Sequence, residues 1–179
     1  MTTTESPTQQ RTLLILRHGH AHAGDWPSDR DRDLDGRGRR ESKAAGTAAR
    51  TCVPALALVS DSVRTRETFD HFCKGLGQAV DVHYLDELYQ ASVSTVRAVV
   101  STSPADVSTV LVVGHDPSMS ELFAELVAAG TSDIDTSSRS PDGMRTGMLA
   151  SFTWTGSWDL STAADVRLEA LSWAGDNPS

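Results

Sequence analysis

Short apolar runs recur along the chain, and each is followed by a more polar segment. Three runs, at 12–16, 55–59 and 109–113, are apolar almost throughout and end at arginine, serine and glycine respectively. Such runs are typical of strands that are buried on both faces of a parallel sheet. They therefore predict three central strands.

The segments between these runs favour helices. Residues 36–50 consist largely of Ala and Arg, with Glu and Lys among them, and contain no Pro, which suits a helix. Ser60 and Asp61 are candidate N-caps of a helix that extends to about residue 76. Pro117 suits the first position of a helix that extends to about residue 129. A strand near 79–84 and a helix near 92–101 continue the alternation of the two element types.

The last part of the chain has a different pattern. Residues 130–145 are rich in Gly, Ser, Asp and Thr and predict one long surface loop. Residues 148–155 and 166–173 alternate apolar with polar positions, as half-exposed edge strands do. Strands that alternate with helices predict an α/β fold, a three-layer α/β/α sandwich around a mostly parallel sheet. The length predicts a single domain over 11–179, preceded by a disordered tail at 1–10.

The charge balance restricts the partners of the protein. The 179 residues carry a formal net charge of −8, so the surface repels polyanions over long range. We therefore expect no nucleic-acid partner and no membrane partner. The stretch from Arg30 to Arg50 does not change this expectation, because acidic residues are interleaved with its arginines. We interpret it as the solvated start of a helix.

Targeting signals and cysteines are both sparse. Residues 1–10 are rich in Thr and Gln, and no apolar run approaches the roughly 20 residues that a bilayer span requires. Cys52 and Cys73 are too few for a disulfide scaffold or a four-thiolate metal site. We expect a cytoplasmic protein with reduced cysteines.

Arginine and histidine follow three of the predicted strands. Arg17 and His18 come directly after the first strand, Arg64 follows the second, and His115 follows the strand at 109–113. Ligands of parallel sheets bind beyond the carboxyl ends of the strands, so we expect these side chains to lie together. Arginine matches phosphate oxygens with a fork of donors, and a neutral imidazole is a nucleophile near pH 7. The pattern predicts a compact anion site that contains an imidazole.

Two backbone features support this site. Gly19 would let the backbone approach a ligand directly after His18. The helix that begins at Pro117 would aim its N-terminal amides and the positive end of its dipole at the same point.

A metal site is an alternative at the same place. His18, His20 and His22 are spaced by two, so on an extended segment they would face the same way, as metal-binding His-x-His pairs do. No nearby cluster of carboxylates completes such a site with the usual spacing. We therefore expect no metal or other cofactor, and we interpret His20 and His22 as residues of the rim.

The order and spacing of the motifs resemble the histidine phosphatase superfamily, and within it the short SixA-like phosphohistidine phosphatases. Arg-His-Gly at 17–19 is similar to the signature of that family, and Gly-His at 114–115 is similar to its third motif. Ser and Arg at 60 and 64 match the second motif, although Asp, Thr and Glu at 61, 65 and 67 replace its Pro, Ala and Gln. The resemblance extends over about 13–173.

The resemblance implies a phosphoglycerate mutase-like fold and a role for each matched residue. His18 would attack phosphorus and form a phosphohistidine enzyme. The phosphoryl oxygens would be held by Arg17, Arg64 and His115. Gly19 and Ser60 would line the substrate site, and Glu87 stands where a general acid could be.

The implied function is a metal-independent phosphatase, in the first place a phosphohistidine phosphatase. A broad-specificity phosphomonoesterase of the same superfamily stays open as an alternative, as does an inactive module that binds phosphate or phosphopeptides. The expected partner is a phosphorylated protein or a small phosphorylated molecule.

Overall fold

The computed structural model describes residues 9–174 as an α/β fold on one six-stranded sheet. The expected tail at 1–10 lies outside the described residues up to residue 8, and Gln10 already belongs to the first strand. The strands are β1 (Gln10–Arg17), β2 (Leu56–Ser60), β3 (Asp81–Leu85), β4 (Thr109–Gly114), β5 (Leu149–Thr155) and β6 (Ala164–Ser172). The helices are α1 (Gly36–Ala48), α2 (Val63–Leu76), α3 (Val93–Ser101), α4 (Ser118–Ala129) and α5 (Thr136–Arg139).

The sheet is mostly parallel, as predicted. Its strand order is β3-β2-β4-β1-β5-β6, and the first four strands of this order run parallel to one another. Strand β5 is antiparallel to both β1 and β6. Because β1, β2 and β4 share one direction, their carboxyl ends meet at one edge of the sheet.

Alternate residues of the central strands face two separate cores. Leu13 and Ile15 of β1 pack with α3 and α4, whereas Leu14 and Leu16 pack with α1 and α2. The period of two follows from the strand pleat, which sends successive side chains to opposite faces. Each of these fully buried side chains contributes about 1.5–3 kcal/mol to stability. The predicted α/β/α layering is therefore confirmed.

Two glycines let α1 and α2 lie in direct backbone contact. A Cβ atom on Gly46 would lie 1.9 Å from the carbonyl oxygen of Phe72, and one on Gly75 would lie 1.9 Å from that of Lys43. A larger residue at either position would push the helices apart. The contact fixes α2, which carries Arg64, against α1.

The structure corrects two predictions about the last part of the chain. Residues 130–145 are not one loop, because they include α5 and because Thr131 forms a bridge to Arg167 of β6. Strand β5 is not an edge strand, since it pairs with β1 on one side and β6 on the other. The polar positions of this strand suggested an edge, but Ser151 and Thr153 line a groove of about 280 Å³.

A third correction concerns the start of α2. Its N-cap is Ser62 rather than Ser60 or Asp61, because Ser62 and Thr65 form a capping box. Ser60 ends β2 instead. Within residues 9–174, no helix combines the length and the apolarity that crossing a bilayer would require.

Candidate active site

The carboxyl ends of three strands bring the predicted histidines and a serine together. His18 follows β1 and His115 follows β4, and the His18 amide donates to the Gly114 carbonyl oxygen at 3.1 Å. The two imidazole rings lie 5.2 Å apart between centroids. Ser60 ends β2, with its hydroxyl oxygen 2.8 Å from Nε2 of His115. The sheet topology alone thus assembles the centre of the site.

His18 is held in one tautomer by its own loop. Its Nδ1 lies 2.8 Å from the Gly19 carbonyl oxygen, which only accepts, so Nδ1 carries the proton and Nε2 keeps its lone pair. Burial, together with the positive charges of Arg64 and Arg17, lowers the pKa of His18 to about 4 against the opposing effect of the Gly19 hydrogen bond. At neutral pH the side chain is therefore a neutral imidazole with a free nitrogen, which is a nucleophile.

His115 is fixed through the opposite ring nitrogen. Its Nε2 pairs with Ser60, whereas its Nδ1 is buried without a hydrogen-bond partner. Burial lowers the pKa of His115 to about 3, with further contributions from His18 and Arg64. A bound anion would select the arrangement in which the Ser60 hydroxyl donates to Nε2, because the Nδ1–H then donates to the anion.

Both arginines are anchored through their terminal nitrogens. Nη1 of Arg17 donates to the Met144 carbonyl oxygen at 2.6 Å and pairs with the Asp116 carboxylate at 2.6 Å. Nη1 of Arg64 donates to the Asp29 carbonyl oxygen at 2.5 Å, and its Nη2 pairs with the Asp29 carboxylate at 2.8 Å. These contacts hold each guanidinium group in place.

Three buried nitrogen atoms near His18 have no hydrogen-bond partner. Among residues 9–174, five buried side-chain polar atoms lack a hydrogen bond, and three of them are Nε of Arg17, Nε of Arg64 and Nδ1 of His115. An unpaired buried donor costs about 1–3 kcal/mol, so a cluster of them is expected where a ligand completes it. Two cationic donors and an imidazole suit an anion with several oxygen atoms, such as a phosphoryl group.

The structure gives Gly19 a packing role, and its predicted approach to a ligand stays a prediction. Its amide donates to Oγ1 of Thr68 at 3.0 Å. A Cβ atom on Gly19 would lie 2.5 Å from the Gly38 carbonyl oxygen and 2.7 Å from Oγ of Ser42, both in α1. The glycine is required because α1 lies against this loop, which in turn orients the carbonyl group that holds His18.

Glu87, the predicted general acid, forms no hydrogen bond or ion pair with the other described site residues. It lies on the short 3₁₀ turn Asp86–Leu88 that follows β3, and its side chain is exposed. Within residues 9–174 it takes part in no hydrogen bond or ion pair. The role of Glu87 as an acid stays a prediction that no contact supports.

Two residues that the sequence analysis missed complete one wall. Asp29, which directly precedes the stretch interpreted as a solvated helix start, accepts from Arg64 at 2.8 Å and from the Tyr89 hydroxyl at 3.0 Å. Partial burial raises the pKa of Asp29, but hydrogen bonds from Arg32, Arg64 and Tyr89 outweigh it and lower the pKa to about 2. The Tyr89 ring packs edge-on against His115, with centroids 5.5 Å apart. The sequence feature that could have identified Asp29 is its position beyond the carboxyl end of β1.

The carboxylate of Asp116 lies at the amino end of α4. The helix begins at Ser118 rather than Pro117, and Oδ1 of Asp116 accepts from the Ser120 amide at 3.3 Å and from its hydroxyl at 2.8 Å. The other carboxylate oxygen pairs with Arg17. Asp116 thus binds one amide of the first turn of α4 and holds Arg17 at the same time.

The remaining two histidines of the first loop pair with carboxylates at the rim. Nδ1 of His20 lies 2.6 Å from Asp35, and Nδ1 of His22 lies 2.7 Å from Asp33. Across the described part of the chain, no group of three or more His, Cys, Asp or Glu side chains is arranged to hold a metal ion. The metal alternative therefore has no ligand set in residues 9–174.

Known proteins resemble this chain in both sequence and fold. The sequence profile of the histidine phosphatase superfamily (branch 1) matches residues 13–94. An uncharacterised protein of Mycobacterium leprae is 35% identical over 137 residues, which are 75% of this chain and 82% of that protein. A proposed phosphohistidine phosphatase SixA from Nakamurella multipartitia is 33% identical, with a TM-score of 0.75 over 93% of this chain and 98% of its own.

Two further structures extend the comparison. The protein histidine phosphatase SixA in complex with tungstate is 26% identical, with a TM-score of 0.69 over 90% of this chain and 96% of its own. A mycobacterial glucosyl-3-phosphoglycerate phosphatase shares the fold at 17% identity, with a TM-score of 0.60 over 90% of this chain and 98% of its own. The chain therefore belongs to the histidine phosphatase superfamily and is a phosphatase with a SixA-like form of the phosphoglycerate mutase-like fold.

Proposed function

We propose that the protein hydrolyses phosphohistidine through a covalent phosphoenzyme on His18, without a metal ion. The observation that carries this proposal is the placement of the His18 imidazole, whose Nδ1 is bound to the Gly19 carbonyl oxygen, beside three buried nitrogen atoms that lack hydrogen-bond partners. In this assignment Arg17, Arg64 and His115 bind the phosphoryl oxygens, and Ser60 positions His115.

The reaction consists of two in-line displacements. Nε2 of His18 attacks phosphorus while the bond to the imidazole nitrogen of the substrate breaks, and the electron pair leaves with that nitrogen. The other nitrogen of this ring is protonated from solvent, so a neutral imidazole departs. Water then attacks the phosphoenzyme, the bond from phosphorus to Nε2 breaks, and inorganic phosphate leaves as a water proton passes to solvent. Arg17 and Arg64 stabilise the charge in both transition states.

The carboxylates near the site favour phosphohistidine over a phosphomonoester. An alkoxide leaving group needs an acid that donates a proton, whereas an imidazole that is protonated from solvent leaves without one. Asp29 and Asp116 are both held as acceptors by the arginines, and the pKa of Asp29 is about 2. The likeness to SixA proteins over 90% or more of the chain supports the same substrate class.

A two-substrate assay tests the proposal. The protein is given a chemically phosphorylated histidine peptide and a matched peptide that carries phosphoserine, both with EDTA present, and kcat/KM is compared for wild type and His18→Asn. We expect the phosphohistidine peptide to be preferred by about a hundredfold or more, because general acid catalysis is worth about that factor for the ester. We expect His18→Asn to lose both activities and wild type to carry a phosphate that is acid-labile and alkali-stable.

The other possible outcomes would contradict the proposal in different ways. Equal turnover of the two substrates would identify a broad-specificity phosphomonoesterase. Tight phosphate binding without turnover would identify a binding module. Activity that persists in His18→Asn would exclude His18 as the nucleophile.

A further inference from the structure

The geometry points to a docking groove beside the active site that selects protein substrates with acidic residues next to the phosphohistidine. This inference rests on the proposed function, because it concerns the polypeptide around the phosphorylated side chain. The groove has a volume of about 300 Å³ and lies where the first turns of α1 meet the residues after β6. We call it the basic groove, and its lining residues are Arg37, Arg40, Glu41, Trp173 and Ala174.

The basic groove has more cationic than anionic groups. Arg37 pairs with Glu41 at 2.6 Å, whereas Arg40 forms no ion pair within residues 9–174. Arg145 borders the groove, since its guanidinium lies 4.5 Å from the centre of the Trp173 ring, and it pairs with no carboxylate of the described chain. The groove and its border thus carry three guanidinium groups and one carboxylate, which is paired with Arg37.

Near the carboxyl ends of β2 and β3, by contrast, the arginines pair with carboxylates. There Arg66 pairs with Asp61 at 2.6 Å, and Arg30 pairs with Asp61 and Asp86. The chain has 24 acidic and 16 basic residues, so carboxylates are plentiful. In such a protein an excess of unpaired guanidinium groups at one place marks that place for an anionic partner.

Backbone contacts join the basic groove to the nucleophile. Oε2 of Glu41 accepts from the amide of His20 at 2.9 Å, two residues after His18. On the other side, the turn that carries Arg145 donates from the Gly147 amide to the His18 carbonyl oxygen at 3.1 Å. The residues that flank a phosphohistidine seated at His18 therefore lie within reach of the groove.

Arg145 is ordered in advance of binding. An exposed cation over an aromatic face gains about 0.5–1 kcal/mol, which restricts the side chain and reduces the entropy lost when a partner binds. The net charge of −8 does not prevent an acidic segment from binding, since charge is screened beyond about 8–10 Å at physiological salt while the groove acts at contact distance. Acidic side chains of the substrate are thus the occupant that the groove fits.

Two matched peptides test this inference. Both carry one chemically phosphorylated histidine, flanked by Asp and Glu in one peptide and by Asn and Gln in the other. We expect wild type to favour the acidic peptide by about tenfold in kcat/KM, since charges at the rim act mainly on association. The double variant Arg40→Gln with Arg145→Gln should reduce this preference to within twofold. The control Arg97→Gln, which removes an arginine paired with Glu125, should keep it.

The outcomes separate docking from catalysis. Turnover of phosphoramidate, which has no flanking residues, should be unchanged in both variants. Equal turnover of the peptides by wild type would overturn the docking inference and leave the proposed function intact. Turnover of neither peptide would overturn both. If the full chain lacked the preference and a chain shortened after Ala174 showed it, residues 175–179 would be the occupant of the groove. This result would also overturn the inference.

Discussion

His18 and His115 follow neighbouring parallel strands, their rings lie 5.2 Å apart, and burial lowers the pKa of both. They differ in which ring nitrogen the protein occupies. Nδ1 of His18 donates to the Gly19 carbonyl oxygen, whereas Nε2 of His115 pairs with Ser60. The free nitrogen is therefore Nε2 with a lone pair in one ring and Nδ1 in the other. Identical side chains in matching positions thus acquire different chemistry through one hydrogen bond each.

Substitution of each histidine by Asn separates the two roles most strongly. His18→Asn removes the nucleophile, so we expect kcat on a phosphohistidine peptide to fall by about 10⁴-fold or more. His115→Asn removes one donor to the phosphoryl group and should lower kcat by about 10²- to 10³-fold while a phosphoenzyme still forms. Rapid quenching in alkali measures the phosphoenzyme. Equal losses, or a phosphoenzyme on His18→Asn, would contradict the division of roles.

The pH dependence of the single-turnover rate tests the state of the nucleophile. At pH 5 an imidazole with the ordinary pKa would be about 3% neutral, whereas His18, with a pKa of about 4, would be about 90% neutral. We therefore expect the rate to hold down to pH 5 and to fall as the pH approaches 4, where protonation removes the lone pair. Nitrogen-15 NMR of the imidazole groups gives the midpoint directly, and a midpoint near 6.5 would contradict the expectation.

The same lowered pKa values affect stability. Between about pH 6.5 and 4, the unfolded chain takes up protons on His18 and His115 that the folded chain excludes. The free energy of unfolding should therefore fall as the pH falls through this window. Urea titrations of wild type and of His115→Asn measure this fall, which should be smaller in the variant.

Ser60→Ala probes the hydrogen bond that distinguishes the second histidine. Without the hydroxyl group, Nε2 of His115 loses its partner and the ring is free to adopt the tautomer that cannot donate to an anion. We expect kcat to fall by about tenfold, the usual size of such an effect on an orienting partner. Ser62→Ala is the matched control, because this nearby hydroxyl is also buried but bonds to Thr65. Similar losses in both variants would indicate damage to the turn instead.

Glu87→Gln should have the smallest effect. The side chain is exposed and makes no hydrogen bond or ion pair within residues 9–174, so turnover of phosphohistidine should change by less than about twofold. The same variant is assayed on the phosphoserine peptide, whose alkoxide leaving group gains more from an acid. A tenfold loss on both substrates would restore Glu87 as a general acid and weaken the case for phosphohistidine.

The sequence predicts the centre of the site because strand ends obey a topological rule. Arg17, His18 and His115 follow runs that are apolar enough to be central strands, and parallel central strands end at one edge. No knowledge of loop conformation is needed for that step. The same rule places Ser60 at the end of β2.

The walls of the site depend on contacts that no local pattern encodes. Asp29 reaches Arg64 across 35 positions, and its neighbourhood of alternating charges looks like any solvated segment. The packing role of Gly19 has no local signal, because the neighbour that it accommodates, Gly38 of α1, lies far along the chain. The position of β5 inside the sheet was missed for a similar reason, since its polar residues line a groove between the sheet and α1.

The backbone contact between α1 and α2 sets the width of the active site from a distance. Helix α1 supports the loop of the nucleophile through Gly38, and α2 carries Arg64, so the spacing of these two walls depends on the seam at Gly46 and Gly75. One added methyl group at the seam would act as a spacer and widen the mouth, although no residue that touches the substrate would change. Engineering of this enzyme for bulkier substrates can therefore begin outside the pocket.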